Sequence, residues 1–231
     1  MKRILAGSAL AVLGGTLLAC DSTENAEART SVRTVSPVQG SLASSSSAGA
    51  IRYVTAPTGN AARYRIREQL VGLDLPNDAV GETPGVRGVI AADAKGNVIA
   101  AESKFTVDVS ALKSDKDRRD GFVRRRVLET DTHPVVTFQP TSVRGVTLPL
   151  PTSGTRSFEL VGNLTVRGTT RPTVWKVNAQ FQPGRIAGGA TTSFTFADFG
   201  MEQPRVPVVL SVDETIRLEL DFTLVPDTPK G

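Results

Sequence analysis

The chain has 231 residues, a net charge of +4 and a single cysteine. That length allows one good-sized core, and one cysteine excludes both an internal disulfide framework and a thiolate metal site. The charge is small and falls to +2 if Lys2 and Arg3 are lost with a leader, which does not suggest nucleic-acid binding.

The N-terminus sets two positive charges, Lys2 and Arg3, before an apolar stretch from Ile4 to Leu18. The stretch has 15 residues, short of the roughly 20 that span a bilayer. It reads as the basic and apolar regions of a secretory signal. The run Leu17-Leu18-Ala19-Cys20 resembles a bacterial lipobox. The resemblance implies a signal peptide over 1–19, diacylglycerol on the Cys20 thiol, and a protein anchored outside the cytoplasm. An ordinary signal with a chance cysteine and an anchoring helix are the alternatives. Residues 20–50 then form the lipidated cysteine and a Ser/Ala-rich tether, with the run Ser44 to Ser47 and no aromatic side chain. Such a segment cannot bury enough surface to offset its ordering entropy.

Residues 51–226 are expected to form one domain, followed by a loose tail at 227–231. Its apolar period is mostly two. Phe105, Val107 and Val109 alternate with polar residues, as do Val136 and Phe138. Phe158, Leu160, Leu164 and Val166 share one parity; so do Trp175, Val177, Ala179 and Phe181. Thr192, Phe194 and Phe196 follow, then Ile216, Leu218, Leu220, Phe222 and Leu224. One dry and one wet face per strand predicts antiparallel pairing. Turns are expected at 95–97, Gly145, Ser153-Gly154, Gly168-Thr169, Pro183-Gly184, Gly188-Gly189 and Asp213-Glu214. Between strands, the charged stretch Ser114–Glu129 predicts a short helix with Ser114 or Asp115 as N-cap. The expected fold is all-β: an antiparallel barrel of seven or more strands with one helical crossing.

Three stretches resemble the YceI-like family. Residues 103–138 carry Ser110, Ser114, Arg119-Asp120, His133-Pro134 and Phe138 in the order of that family's central block. Gly162 to Pro172 is close to its G-x-L-T-I-R-G-V-T-K-P element, and Phe196-Ala197-Asp198-Phe199-Gly200-Met201 is similar to its R-x-D-F-G-M segment. Two departures stand out: Arg124-Arg125-Arg126-Val127-Leu128 replaces a Phe-Phe-Asp-like element, and the arginine before Asp-Phe-Gly is missing. The resemblance implies a lipocalin-like barrel with an elongated cavity for a polyisoprenoid or other long amphipathic lipid, and no enzymatic activity.

On that reading Phe105, Val107, Phe138, Leu160, Phe194, Leu218 and Leu220 line the cavity, and Arg124, Arg125 and Arg171 are candidates for a phosphate or quinone head group. The alternatives are a filled core and a solvated charge run. Catalysis has little behind it. His133 is the only histidine, and Ser110 and Lys113 match an S-x-x-K spacing without its partner motifs. No metal or cofactor is expected beyond a bound isoprenoid or quinone-like lipid. The expected partners are that lipid and a membrane, not nucleic acid. The function expected is a lipid-anchored extracytoplasmic lipid-binding protein. The alternative is a structural or stress-related envelope module with a filled core and a protein partner.

Overall fold

The computed structural model describes residues 50–227; the expected signal peptide, Cys20, the tether and the end of the tail lie outside the described residues. Eleven β-strands follow in chain order. They are β1 (Ile51–Thr55), β2 (Ala61–Leu70), β3 (Asn77–Thr83), β4 (Val86–Ala92), β5 (Lys104–Asp108) and β6 (Val135–Arg144). Then come β7 (Gly154–Val166), β8 (Thr169–Gln182), β9 (Arg185–Thr195), β10 (Val209–Val212) and β11 (Thr215–Pro226). Helix α1 (Asp117–Phe122) runs on into a π turn, Val123–Val127, between β5 and β6.

Eleven strands make eight staves. β1 and β2 both pair antiparallel with β11, β3 pairs β2, and β4 pairs β1. β1 with β2, and β3 with β4, are therefore single staves interrupted by a break; Pro84-Gly85 makes the second break. β10 and β11 share β2 as partner in the same way. The remaining neighbours run β4-β5-β6-β7-β8-β9-β11, and β1 closes the ring onto β11. The result is an antiparallel, lipocalin-like eight-stave barrel with one short helix. Closure removes the free edges that an open sheet would expose.

The period-two reading holds strand by strand. In β8, Trp175, Val177, Ala179 and Phe181 are buried while Lys176, Asn178 and Gln180 are exposed. Arg167 and Gly168, both with positive φ, form the two-residue turn between paired Val166 and Thr169, a type I′ hairpin. The outer faces of β2, β3 and β11 carry an ion-pair ladder. Arg63 bonds Glu82 and Asp221, and Arg65 bonds Glu219 and Asp78.

Two expectations fail. Gly188-Gly189 is not a turn; both residues lie inside β9, paired with β8 and β11. A Cβ on Gly188 would stand 2.1 Å from the Asn178 carbonyl oxygen, so the glycine permits a close backbone approach in a strongly coiled strand. The N-cap of α1 is Lys116, which gives no side-chain cap. Ser114 instead hydrogen-bonds Asp120 one turn further on, through its backbone N–H at 2.8 Å and its hydroxyl at 2.6 Å.

Candidate functional site: an apolar tube through the barrel

A cavity of about 1000 Å³ runs through the barrel. One end is framed by Asp93, Gly96 and Val98, by Pro149 to Thr152, and by Gln182 to Gly184. The other is framed by the ends of β2 and β10, by Pro204, Val206 and Pro207, and by the helix residues Lys116, Arg118, Arg119 and Phe122. Between them the wall is almost wholly aliphatic and aromatic.

Phe105, Val107, Phe138, Leu160, Phe194, Leu218 and Leu220 all lie on this wall. Alternation puts them there, since each sits on the inward parity of its strand. Phe105 and Phe138 are buried, whereas Leu160, Phe194, Leu218 and Leu220 are only half-buried although they point inward. In a filled core such side chains lose nearly all their accessible surface. Here the surface they keep faces the lumen.

Several aromatic rings lie along the wall. Tyr64 and Gly81 are register partners, as are Phe105 and Gly88, and each ring covers its glycine. The Phe138 ring lies against Gly162 and packs on Trp175 at 5.8 Å between centroids. These glycines leave room for the rings to fold back onto the strands.

A buried cluster of charged groups sits at the helix end of the lumen. Glu68 is buried on the wall, on the inward parity of Ile66 and Leu70. Arg119 reaches it from α1 through Nη2, and also bonds Asp115 and Ser114. The Arg119-Asp120 pair thus ties the helix down twice, outward to β2 and back onto its own entry loop. Burial pushes the Tyr64 hydroxyl up to about 12; nearby Arg119 opposes this, and Asp120 and Glu68 add to it. The Asp115 carboxyl is held below the usual carboxylate range by its hydrogen bond from Arg119.

Arg124, Arg125 and Arg171 are not among the residues lining the tube. Arg124 donates to the Leu112 carbonyl at 3.2 Å, and the Arg125 guanidinium lies over Gly121. Arg171 is on the outer face, donating to the Asp198 carbonyl at 2.8 Å. The cations at the helix end of the lumen are Lys116, the N-cap, and Arg118 and Arg119 in the first turn of α1; Arg63 of β2 also borders the cavity. Glu68 carried a readable signal: an acid on the apolar parity of an alternating segment.

The other motif residues have structural work. The Phe196–Phe199 turn is held by Thr195, whose N–H and hydroxyl both donate to Asp198, and it buries Phe196 and Phe199. Ser110 donates to Asp108 at 2.5 Å, and Lys113 extends the pairing of β3 by bridging to Glu82. Among the described residues there is no cluster of three or more potential metal ligands. No helix among them is long and apolar enough to cross a membrane.

The YceI-like domain family matches residues 23–224, and the chain belongs to that family. A UPF0312 protein of Azotobacter vinelandii (strain DJ / ATCC BAA-1303) is 27% identical over 129 residues, which is 52% of this chain. That match spans 62% of the relative's own length. Among solved structures, a polyisoprenoid-binding domain from Saccharophagus degradans superposes with a TM-score of 0.59 at 14% identity, covering 75% of this chain and 98% of its own. BcnA of Burkholderia cenocepacia gives 0.52 at 12% identity, covering 71% and 95%. At such identities these likenesses speak to the fold.

Proposed function

We propose that this protein is a lipid-anchored extracytoplasmic binding protein whose barrel holds a polyisoprenoid or quinone-like lipid. The observation that carries the proposal is the void itself: about 1000 Å³, walled by inward side chains that keep accessible surface. That volume stands at the upper end of the roughly 300–1,000 Å³ usual for small-molecule sites. A long prenyl chain gains from burial along the wall and asks for no polar partner there. The buried Glu68–Arg119 pair at the helix end suits a ligand with a polar terminus there. The polyisoprenoid-binding domain of Saccharophagus degradans, on the same fold, supports the ligand class.

The other reading, an envelope module with a filled core, has no use for an apolar lumen of this size. The anchor and the location rest on the N-terminal pattern that ends at Cys20. Two or three acyl chains would give stable attachment where one gives only marginal binding.

Trp175, the chain's only tryptophan, lies on the tube wall and serves as a built-in reporter. Titrating delipidated protein with an isoprenoid quinone should quench its emission to saturation at one equivalent. Quenching that is absent, or linear without saturation, would contradict the proposal.

A further inference from the structure

Eight large apolar side chains stand exposed among the described residues, and five of them gather at one end of the barrel. Val71, Leu73 and Leu75 belong to the connection from β2 to β3; Val208 immediately precedes β10 and Leu210 is its second residue. They are between 49% and 76% exposed. The two segments form one surface. The Val71 N–H donates to the Val208 carbonyl at 3.1 Å, and Leu70 pairs with Val209. A register shift between Val209 and Ser211 takes Leu210 out of the ladder, where it faces solvent.

Scattered exposed apolar residues need no explanation, but a contiguous group at a cavity mouth does. Val71 and Val208 belong to both surfaces: they are exposed outside, and they also line the tube. The apolar rim therefore continues into the apolar lumen. Two adjoining chain segments, not a groove, make it up, so it offers no cleft for a peptide or helix. The charges on and beside it are of both signs, Asp74 and Arg205 on the two segments and Lys116 and Arg118 with Asp115 and Asp117 at the helix, and they do not select one sign of partner.

We propose that this rim docks on a lipid bilayer and inserts Leu73, Leu75 and Leu210 at the headgroup level. An apolar ligand then passes between bilayer and tube without crossing water. Because the neighbouring charges balance, docking is driven by apolar insertion and occurs on zwitterionic membranes, with little sensitivity to salt. Ligand transfer rests on the function proposed above; docking itself does not.

The test uses the full chain with Cys20→Ser, so that a dye can be placed by a unique cysteine. One sample carries Leu75→Cys at the rim. The other carries Lys95→Cys, exposed in the turn after β4 at the opposite end of the barrel. Each is labelled with a nitrobenzoxadiazole dye and mixed with phosphatidylcholine vesicles. The expected result is a blue shift with increased emission at position 75 and none at position 95. Adding Val208→Asp and Leu210→Asp should abolish the shift. The apolar stretch Ile4 to Leu18 could tether any sample to vesicles, but tethering alone would not separate the two positions. Equal responses at 75 and 95, or none at 75, would overturn the proposal. So would a concentration-dependent shift without vesicles, which would assign the rim to a second copy of the chain. A Leu218→Trp chain that loses ligand yet keeps the position-75 response would leave docking standing while the cavity reading is judged separately.

Discussion

The ring of Tyr64 occupies the space that a side chain on Gly81 would need: a Cβ at position 81 would stand 2.2 Å from Tyr64 Cε1. The two residues are register partners on β2 and β3. Phe105 repeats the arrangement with Gly88. A small residue opposite each large ring lets it lie back on the wall, and this helps keep the barrel hollow.

Gly81→Ala tests that relationship. All three close contacts of the new methyl are Tyr64 ring atoms, so the ring must yield. The expected outcome is displacement of the ring toward the lumen, at a cost of about 1–3 kcal/mol as in other overpacked sites. Chemical denaturation measures the cost. Lipid content measured in parallel should fall, and Tyr64→Leu in the same chain should restore both.

The Asp120 carboxylate is buried and accepts two hydrogen bonds from Ser114. Asp120→Ala leaves the Ser114 N–H without this acceptor and frees the entry to α1. A loss of about 1–3 kcal/mol is expected in urea unfolding. Hydrogen exchange should show faster opening of residues 114–127 than of β7 and β8. Unchanged exchange there would mean that the pair does not secure the helix.

Tyr64 gives a pH signature. Its folded value of about 12 lies above the ordinary tyrosine value near 10. The stability tied to its neutral form is therefore complete below pH 10 and is lost as pH rises from 10 towards 12. In Tyr53→Phe, which leaves Tyr64 as the only tyrosine, absorbance at high pH should show a phenol titrating near 12. A midpoint near 10 would show that the ring is not held against the wall as described.

How far the sequence carries the fold depends on the stave. β7, β8 and β11 are long and keep one inward parity, so alternation alone identifies them; of β9 it shows only the second half. β1 to β4 are harder. The staves they form are broken at 56–60 and at Pro84-Gly85, and Arg63, Arg65 and Arg67 mask the inward run of β2. β10 has only four residues and contains a bulge. A glycine pair reads as a turn, yet Gly188-Gly189 serves a close contact within a strand. Which side chains face inward was legible because parity determines it; whether the space between them is open was not, since a filled core and a lined tube share one pattern. Nor was the polar end, because the Glu68–Arg119 contact joins residues 51 positions apart. The family resemblance singles out Arg119-Asp120, but nothing local assigns Arg119 rather than Arg124 or Arg125 to the lumen.

The anchor has its own test. A thiol is needed for thioether formation, so Cys20→Ser should abolish incorporation of labelled fatty acid and release the protein from membranes. A mutant that stays with the membrane fraction, beside a wild type that takes up no label, would remove the lipoprotein reading.

The most direct measurement is organic extraction and mass spectrometry of the protein purified from its native cells, wild type beside Leu218→Trp. Covalent acyl chains stay with the protein, so the extract reports the tube. Leu218 faces the lumen and is half-buried, which leaves room for an indole. The account predicts about one isoprenoid-type lipid per wild-type chain, loss of that lipid in the variant, and nearly equal melting temperatures once both proteins are delipidated. No lipid in the wild type, together with a loss of about 1–3 kcal/mol in the variant, would be the behaviour of a filled core and would contradict it.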